Sequence, residues 1–445
     1  MFNLKRVLLY LLLLVVIVAG GLWARWQFEW TAPVISIKLD QGYIGTRPFE
    51  IEIVDQGTGL KNAAVVLRAG ERDYPIVSEE YDSGVKSKKF SITLTPDKVQ
   101  HADGPGVLRV TARDRSFWGF FNGNEATQEL YVVVDMTPPT LHLISTDRYI
   151  NFGGSGLVFY QTSPDAVLSG VKVGSYFFKG YRGNLKAPDM YLAFFAHPHD
   201  VVDSKALIIA EDAAGNVSQR EFTYVLKNIK KRKKSVQLSD ELIQSRVIPL
   251  LGGDPSGQRG MKKAFVAVNH DMRSQNEAKI NEVCAESKNE LLWDQPFHQL
   301  SNSQVEANFG DERTYYYKGE IIDRAFHLGY DLAVTRNYPV EAANNGIVVF
   351  SDDLGIYGRT VIIDHGLGLF TLYSHMSTLS VKKGDKVERK QVIGKTGETG
   401  LTTGDHLHYT TLIHGVPVLP LEWWDGRWVE ENVLSRIRAG NSGEL

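Results

Sequence analysis

The chain has 445 residues, of which 43% are hydrophobic, and its formal net charge is -3. This length suits about three domains with cores of their own, and the small net charge excludes a general attraction for nucleic acid, so we expect no nucleic-acid partner. Cys284 is the only cysteine, which excludes an intrachain disulfide and a thiolate zinc site and leaves histidine and carboxylate as ligands for a transition metal.

The N-terminal segment predicts a membrane helix. The apolar run at 7–23 is about long enough to cross a bilayer, and the basic pair Lys5 and Arg6 before it predicts a cytoplasmic N-terminus. Aromatic residues that suit the outer membrane–water boundary follow, at Trp23, Trp26, Phe28 and Trp30. We expect a single-pass inner-membrane protein that contacts the lipid bilayer through residues 7–24, with the rest of the chain extracytoplasmic, periplasmic or wall-facing. The alternative is a cleaved signal peptide, for which the small residues before the tryptophans offer only a poor site.

Two consecutive stretches, 31–136 and 137–228, form an internal repeat of about 100 residues. Both open on Thr-x-Pro and later carry Ala-x-Asp followed by Gly-Asn, at Asp114 with Asn124 and at Asp212 with Asn216. Short β-prone runs separated by Gly, Pro, Asp and Asn turns are typical of an antiparallel sandwich. The copies resemble bacterial immunoglobulin-like modules, and we interpret them as spacers that carry the C-terminal part away from the membrane.

Three further stretches lie in or after these copies. The first copy contains an aromatic insertion, SFWGFFN at 116–122, whose rings we expect to pack on the adjoining module, the alternative being an exposed contact loop. The basic run 227–235 predicts a solvated linker, with binding to anionic lipid or wall polymer as the alternative. After it, 239–251, with Ser239 as N-cap, and 271–293 predict a pair of helices.

From about residue 305 onward, glycine turns between β-prone runs predict a compact antiparallel sheet. His406 and His408 would occupy alternate strand positions and leave the same face. His327 and Asp331 have an even spacing and could also share a face in extended chain, and His375 lies between the two pairs. Two imidazoles and one carboxylate form a known zinc ligand set, which leaves a position open for water.

These motifs, in this order, resemble the signatures of the lysostaphin-type (LytM-like) zinc metallopeptidases, which are peptidoglycan endopeptidases. The resemblance runs from FGDER at 309–313 to TGLTTGDHLHYT at 399–410. It implies one Zn²⁺ ion held by His327, Asp331 and His408. It also implies that His375 and His406 are the catalytic histidines, which activate water and stabilise the tetrahedral intermediate, and that the substrate is a peptide stem or cross-link of peptidoglycan.

Other functions stay open at this point. A catalytically silent member of the same fold would bind the cell wall or regulate another hydrolase. The segment 381–400 also resembles the hairpin of lipoyl and biotinyl carrier modules, which would make the chain a carrier or adaptor. A regulatory protein could bind the immunoglobulin-like modules or the helical segment.

The expected architecture is mostly β. It comprises an N-terminal transmembrane helix, two immunoglobulin-like β-sandwich modules, a short helical segment and a C-terminal antiparallel β-sheet metallopeptidase domain. The predicted boundaries are 1–30 for the cytoplasmic end and membrane anchor, 31–136 and 137–228 for the two modules, 229–300 for the basic linker and helical segment, 301–430 for the metallopeptidase domain, and 431–445 for a C-terminal tail.

Overall fold

The computed structural model describes residues 4–40, 42–99, 102–252 and 260–445. The chain divides into two compact units, one of Met1–Pro139 with Glu211–Val217 and the other of Thr140–Ala210 with Ser218–Leu445. Parts of three predictions lie outside the described residues: the cytoplasmic end at residues 1–3, the first module at residues 41 and 100–101, and the middle of the helical segment at 253–259. In agreement with the predicted fold class, strands dominate both units.

The first unit begins with helix α1 (Leu4–Gln27). An 18-residue stretch within Arg6–Gln27 has a mean hydropathy of 2.7, and none of that stretch is buried. A helix of this length spans about 36 Å, so it is long and apolar enough to cross a membrane.

Two sheets follow α1 in the first unit. Their strands are β1 (Val34–Lys38), β2 (Tyr43–Ile44), β3 (Phe49–Val54), β4 (Leu60–Ala69), β5 (Arg72–Glu80), β6 (Ser87–Ile92), β7 (Gly104–Asp114) and β8 (Glu125–Val134). One sheet has the order β1-β3-β6 and the other β2-β8-β7-β4-β5. Apolar side chains that alternate along the strands, such as Ile51, Val65 and Val110, are fully buried in one core. This arrangement is compatible with the predicted immunoglobulin-like sandwich.

The repeated Ala-x-Asp and Gly-Asn motifs have a structural role. The Nδ2 of Asn124 donates to Oδ2 of Asp114 at 2.8 Å and to the carbonyl of Glu29 at 3.0 Å. Asn216 makes the same two bonds in the second copy, to the aspartate of its own motif at 2.8 Å and to the carbonyl of Asp135 at 2.9 Å. Each motif therefore ties a strand end to the chain that leads into the module.

The second unit contains the remaining strands. They are β9 (Leu141–Ser145), β10 (Tyr149–Asn151), β11 (Ser155–Thr162), β12 (Ala166–Val173), β13 (Tyr176–Lys179), β14 (Met190–Ala196), β15 (Lys205–Asp212), β16 (Val217–Thr223), β17 (Val225–Lys227), β18 (Lys233–Leu238), β19 (Gln304–Ala307), β20 (Asp311–Tyr317), β21 (Glu320–His327), β22 (Tyr330–Ala333), β23 (Pro339–Glu341), β24 (Gly346–Asp353), β25 (Arg359–Asp364), β26 (Leu369–Met376), β27 (Thr378–Leu379), β28 (Lys386–Val387), β29 (Val392–Lys395), β30 (Leu407–Ile413) and β31 (Val416–Val418). The tips of β15 and β16 belong to the first unit.

The C-terminal part is built on one eight-stranded sheet with the order β19-β22-β30-β26-β25-β24-β28, in which β31 also pairs with β30. All of its pairings are antiparallel. A three-stranded sheet, β18-β20-β21, lies beside it, and a second small sheet has the order β23-β29-β27. The antiparallel sheet predicted from residue 305 onward is therefore present.

One hydrophobic core runs through β11, β14 and the eight-stranded sheet. Phe194 and Trp423 are both fully buried in it, with their ring centroids 5.7 Å apart. The segment predicted only as a tail contains the helix Ser435–Ser442, and Arg436 within it forms an ion pair with Asp147 at 2.9 Å. Residues 140–210, predicted as part of a separate spacer, thus share their core with the C-terminal sheet.

The basic run at 227–235 is only partly the predicted linker. From Lys233 its backbone forms β18, which pairs in parallel with β20. Strand pairing uses backbone groups, so the exposed lysine side chains do not oppose it. Residues 233–235 therefore belong to a strand, while their side chains stay exposed to solvent.

The helical segment begins as predicted, because Oγ of Ser239 accepts a hydrogen bond from the backbone N–H of Leu242 at 3.1 Å. The second predicted helix ends early, at Val283. Beyond it, Ser287 and Lys288 bond the carboxylate of Asp364, so tertiary contacts replace helical ones and the prediction is wrong for residues 284–293. The helical pieces of the second unit are Asp240–Leu242, Ile243–Val247, Pro249–Leu251, Met261–Val266, Ala267–Met272, Arg273–Val283, Gly355–Tyr357, Pro420–Trp424, Gly426–Val429, Glu430–Leu434 and Ser435–Ser442.

Candidate metal centre

Strand register brings the three predicted ligands together. His327 ends β21, and Asp331 lies in β22 after a turn through Leu328 and Gly329. Asp331 is the cross-strand partner of His408 on β30, which places both side chains on one face of the sheet. The even spacing of His327 and Asp331 predicts that they share a face of one extended stretch. They lie instead on two different strands, and the turn between these strands brings the side chains together.

The donor atoms of these three side chains converge on one point. Nε2 of His327 lies 2.9 Å from Oδ1 of Asp331 and 3.0 Å from Nδ1 of His408. The third side of this triangle, from Nδ1 of His408 to Oδ1 of Asp331, is 2.9 Å. Among the described residues, these three form a group whose ligand atoms are close enough to share one ion.

The hydrogen bonds behind the imidazoles show which nitrogen atoms are free of protons. Nδ1 of His327 lies 3.0 Å from the carbonyl oxygen of Asn308, which can only accept, so Nδ1 carries the proton and Nε2 has a lone pair. Thr410 donates its hydroxyl proton to the carbonyl of Leu328. Its oxygen, 3.1 Å from Nε2 of His408, therefore accepts from that nitrogen, and Nδ1 of His408 has the lone pair.

Three unprotonated atoms, including a carboxylate oxygen, thus face one another without a hydrogen atom between them. Such an arrangement is repulsive unless a cation lies among them. The edge of a tetrahedron around zinc with nitrogen ligands is about 3.3 Å, so the observed separations need adjustments of only a few tenths of an ångström. The residues present fit a zinc ion.

The two predicted catalytic histidines lie beside this triangle. Nδ1 of His375 donates to the carbonyl of Thr399 at 2.8 Å, and Nδ1 of His406 donates to the carbonyl of Gly404 at 2.9 Å. Their rings are 5.0 Å apart, and Nε2 of His406 is 3.5 Å from Oδ1 of Asp331. His406 therefore directs Nε2 toward the centre, and the ring of His375 lies beside it, 5.9 Å from the ring of His408.

An unusual backbone turns His375 inward. Ser374 pairs with His408 across β26 and β30, so regular alternation would direct the next side chain to the opposite face. His375 instead has φ +61° and lies in a bulge of β26, because Met376 pairs with Arg359 and Tyr373 with Val361, which leaves β26 one residue longer than β25 at this point. The left-handed backbone brings the ring to the same face as His408, and strain of this kind is concentrated at functional sites.

Burial and charge set the proton affinities at the centre. Burial lowers the pKa of His375 to about 3, with contributions from His406 and His408. Burial also lowers the pKa of His406, but the carboxylate of Asp331 outweighs it and the pKa lies above its ordinary value. For Asp331 burial raises the pKa, whereas the surrounding histidines hold it well below its usual range. The carboxylate is therefore ionised, as a metal ligand must be.

Arg313 on β20 holds the other oxygen of Asp331. Its Nη2 donates to Oδ2 at 2.8 Å, which leaves Oδ1 directed at the two ligand histidines. We assigned Arg313 no role from the sequence, although it ends the FGDER stretch, and only the fold shows that β20 passes beside β22. The one feature of the sequence that could have indicated this role is a basic residue shortly before the predicted ligands His327 and Asp331.

The centre opens into a cavity of about 500 Å³. One wall comes from the sheet and its loops, where Tyr357 packs 5.9 Å from the ring of His408. Another wall comes from the helical segment and β18 through Leu238, Leu242 and Phe265. This volume is in the range of ligand-binding clefts.

Two buried histidines outside the centre have structural contacts. His197 is buried between the hydroxyl of Tyr224 at 2.8 Å and the carbonyl of Val201 at 3.0 Å. His365 is likewise buried between a carbonyl and the hydroxyl of Thr371. Neither contributes to the donor triangle.

Comparison with known proteins agrees with this geometry. The sequence model of peptidase family M23 matches residues 325–420. These residues form an M23 domain. The match contains His327, Asp331, His375, His406 and His408, and it confirms the resemblance to the lysostaphin-type family. It also includes the segment that resembles a lipoyl or biotinyl hairpin, which leaves the carrier alternative without support.

Curated relatives that match this part of the chain are named as peptidases. The chain is 43% identical over 95 residues to the "DD-carboxypeptidase/endopeptidase Mpg" of Neisseria meningitidis serogroup B, a match that covers 21% of this chain and 22% of the relative. It is 38% identical over 118 residues to the "Peptidoglycan DD-endopeptidase ShyA" of Vibrio cholerae, covering 26% and 27%. The chain thus spans about a quarter of the length of these relatives.

Solved structures are also similar to the M23 domain. The catalytic domain of lysostaphin from Staphylococcus simulans is 24% identical, with a TM-score of 0.25, over 29% of this chain and 98% of that one.

Proposed function

We propose that the chain is a membrane-anchored zinc metalloendopeptidase that hydrolyses peptide cross-links of peptidoglycan in the cell envelope. The observation that carries the proposal is the convergence of three unprotonated donor atoms, on His327, Asp331 and His408, beside the rings of two further histidines. The peptidoglycan endopeptidases among the curated relatives support the substrate class. The apolar helix α1 supports the anchor.

His327, Asp331 and His408 would hold the ion, and Arg313 and Thr410 would keep their donor atoms in place. When bound, zinc supplies Lewis acidity, which polarises a carbonyl group and makes water acidic enough to act as a nucleophile near neutral pH. Nε2 of His375 and Nε2 of His406 are positioned to accept a proton from the attacking water and to return it to the departing amine. When protonated, His406, whose pKa lies above its ordinary value, can donate a hydrogen bond to the developing oxyanion.

The membrane anchor and the location belong to the same proposal. With α1 in the inner membrane and the N-terminus in the cytoplasm, the M23 domain would face the periplasm or the wall. There the substrate is a fixed polymer, and an anchored enzyme reaches only the strands near the membrane. The extracytoplasmic location suits a chain whose single cysteine, Cys284, is buried.

Digestion of purified peptidoglycan tests the proposal. The full chain is expected to release peptides and to contain one zinc ion, whereas His408→Ala should lose both because one of three ligands is missing. His142→Ala is the matched control, since His142 is exposed on β9 and should retain full activity. If the unaltered chain and His408→Ala released equally little peptide while both bound peptidoglycan, the catalytically silent wall-binding role would replace the proposed one.

A further inference from the structure

An aromatic cluster lies at the C-terminal end of α1, just after the apolar run 7–23. One half comes from the end of α1 and the residues after it, and the other half comes from the insertion 116–122 between β7 and β8. The residues that make ring contacts in it are Trp23, Phe28, Trp30, Phe117, Trp118 and Phe121, and Trp26 and Phe120 lie next to them in the sequence.

Phe117 fastens the insertion to the end of the helix. Its ring centroid lies 6.0 Å from that of Trp23 and 5.7 Å from that of Phe28. Its backbone N–H donates to the carbonyl of Gln27, the last residue of α1, at 2.8 Å. Phe117 therefore packs on the end of α1 and the residue after it, whereas the sequence predicted packing on the adjoining module.

The tip of the insertion points away from the protein. Phe120 is 96% exposed, Phe121 is 66% exposed and Trp118 is 48% exposed. Both phenylalanines have left-handed backbones, with φ of 57° and 67°, a conformation that costs free energy for residues with a Cβ atom. The seven residues of the insertion carry no charged side chain.

We propose that the tip of the insertion, Trp118 to Phe121, enters the lipid–water interface of the leaflet from which α1 emerges. The argument for a bilayer as the occupant is continuity, because the exposed rings extend the apolar surface of a helix that is long enough to span it. Aromatic side chains favour this interface. The first module would then contact the membrane at two points, α1 and the insertion, which fixes its orientation. The inference rests on the proposed membrane anchor.

Depth measurements in a lipid bilayer test the inference. The full chain is reconstituted in vesicles of phosphatidylethanolamine and phosphatidylglycerol that contain brominated lipid, with an environment-sensitive fluorophore on Phe120→Cys. Cys284 is fully buried and stays unlabelled. Tyr131→Cys is the matched control, because Tyr131 is 82% exposed on the same unit and lies about 20 Å along β8 from the insertion. Val15→Cys, within α1, reports whether the helix is in the bilayer.

The inference predicts a blue shift and a loss of fluorescence for the probe at Phe120, close to the loss at Val15, and neither effect at Tyr131. Phe121→Cys should behave as Phe120→Cys does and serves as the second variant if the first does not fold. If the probe at Val15 is quenched but the probes at Phe120 and Phe121 report an aqueous environment, the inference is overturned and the membrane anchor is retained. The exposed rings would then be assigned to a protein partner. No quenching at Val15 would overturn the anchor and the inference together.

Discussion

At the scale of single residues, the second partners of the ligand histidines decide what the centre can bind. The carbonyl of Asn308 and the hydroxyl of Thr410 each accept a hydrogen bond from the protonated nitrogen of one ligand histidine. The other nitrogen of each ring therefore has a lone pair for a cation. Hydrogen bonds of this kind orient metal ligands and tune their basicity. Residues that would not contact the ion therefore orient the three ligand atoms.

Substitution of Arg313 tests whether hydrogen bonds to the ligand residues orient them for metal binding. We expect Arg313→Gln to weaken zinc binding by about 10- to 100-fold, because Asp331 would lose the bond that directs Oδ1 at the histidines. Competition with a fluorescent chelator measures the affinity without reference to activity. Arg324→Gln, an exposed change on the adjoining strand β21, should leave it unchanged, and equal affinities for both variants would show that Arg313 does not position the ligand.

Glu422 predicts a pH dependence of stability away from the metal centre. Its carboxylate is 5% exposed and accepts hydrogen bonds from Nδ2 of Asn151 and the backbone N–H of Ser155, both at 2.8 Å. Burial raises the pKa from 4.5 to about 7, so the folded chain binds this proton more tightly than the unfolded chain does. The stabilisation is complete below the unfolded pKa and decreases as the pH rises toward 7, by roughly 3 kcal/mol in all.

Thermal unfolding of the full chain at about pH 5 and about pH 8 measures this contribution. Glu422→Gln should show a smaller difference in Tm between the two pH values than the unaltered chain, because the side chain no longer titrates. An identical difference in both proteins would assign the pH dependence to other groups.

At the scale of elements, the helical segment is the part of the second unit that covers the cavity. Leu242 and Phe265 line it, and Arg246 ties the segment to the loop before β30. Its Nη2 pairs with Oε2 of Glu398 at 2.6 Å and its Nη1 donates to the carbonyl of the same residue at 3.0 Å. This loop continues to Thr402, whose hydroxyl lies 3.2 Å from Nδ1 of His406.

If the segment shields the centre, loosening it should speed the reaction. We expect Arg246→Ala to raise peptide release from purified peptidoglycan several-fold. Lys262→Ala is the matched control, because the Lys262–Glu320 pair joins the same segment to β21 but is exposed and contributes little. A rate for Arg246→Ala at or below that of the control would rule out shielding.

The elements also show where local pattern misleads. Residues 284–293 were predicted to be helical, yet Ser287 and Lys288 donate hydrogen bonds to the carboxylate of Asp364, which is distant in sequence. The lysines of β18 suggest a solvated linker, yet their backbone completes a sheet with β20. In both cases a hydrogen-bonding partner distant in sequence overrides the local preference.

At the scale of the molecule, residues 140–210 and the C-terminal sheet depend on each other. They share one core, and the ion pair between Asp147 and Arg436 is nearly enclosed. A fragment that begins at the predicted linker would expose Trp423 and leave Arg436 without its partner. The M23 domain is therefore not expected to be stable without the strands of the preceding module.

Truncation measures this dependence. A fragment of residues 235–445 should unfold more than about 10 °C below a fragment of residues 140–445, since loss of a buried ion pair and of aromatic packing costs several kcal/mol. Scanning calorimetry on both fragments gives the comparison. Matching Tm values would mean that the shared core adds little stability.

The amino-acid sequence is enough to predict the apolar span, the repeat with its Asn124 and Asn216 motifs, the mostly β class and the residue types of the centre. These features follow from composition and from short-range spacing, which one chain displays directly. The pairing of Asp331 with His408, the left-handed backbone that turns His375 inward and the bond from Arg313 to the carboxylate become visible only in the folded chain. The same is true of the core that the second module shares with the M23 domain. Each of these depends on strand register or on a hydrogen bond between distant segments, because the fold selects the partner and local sequence does not encode it.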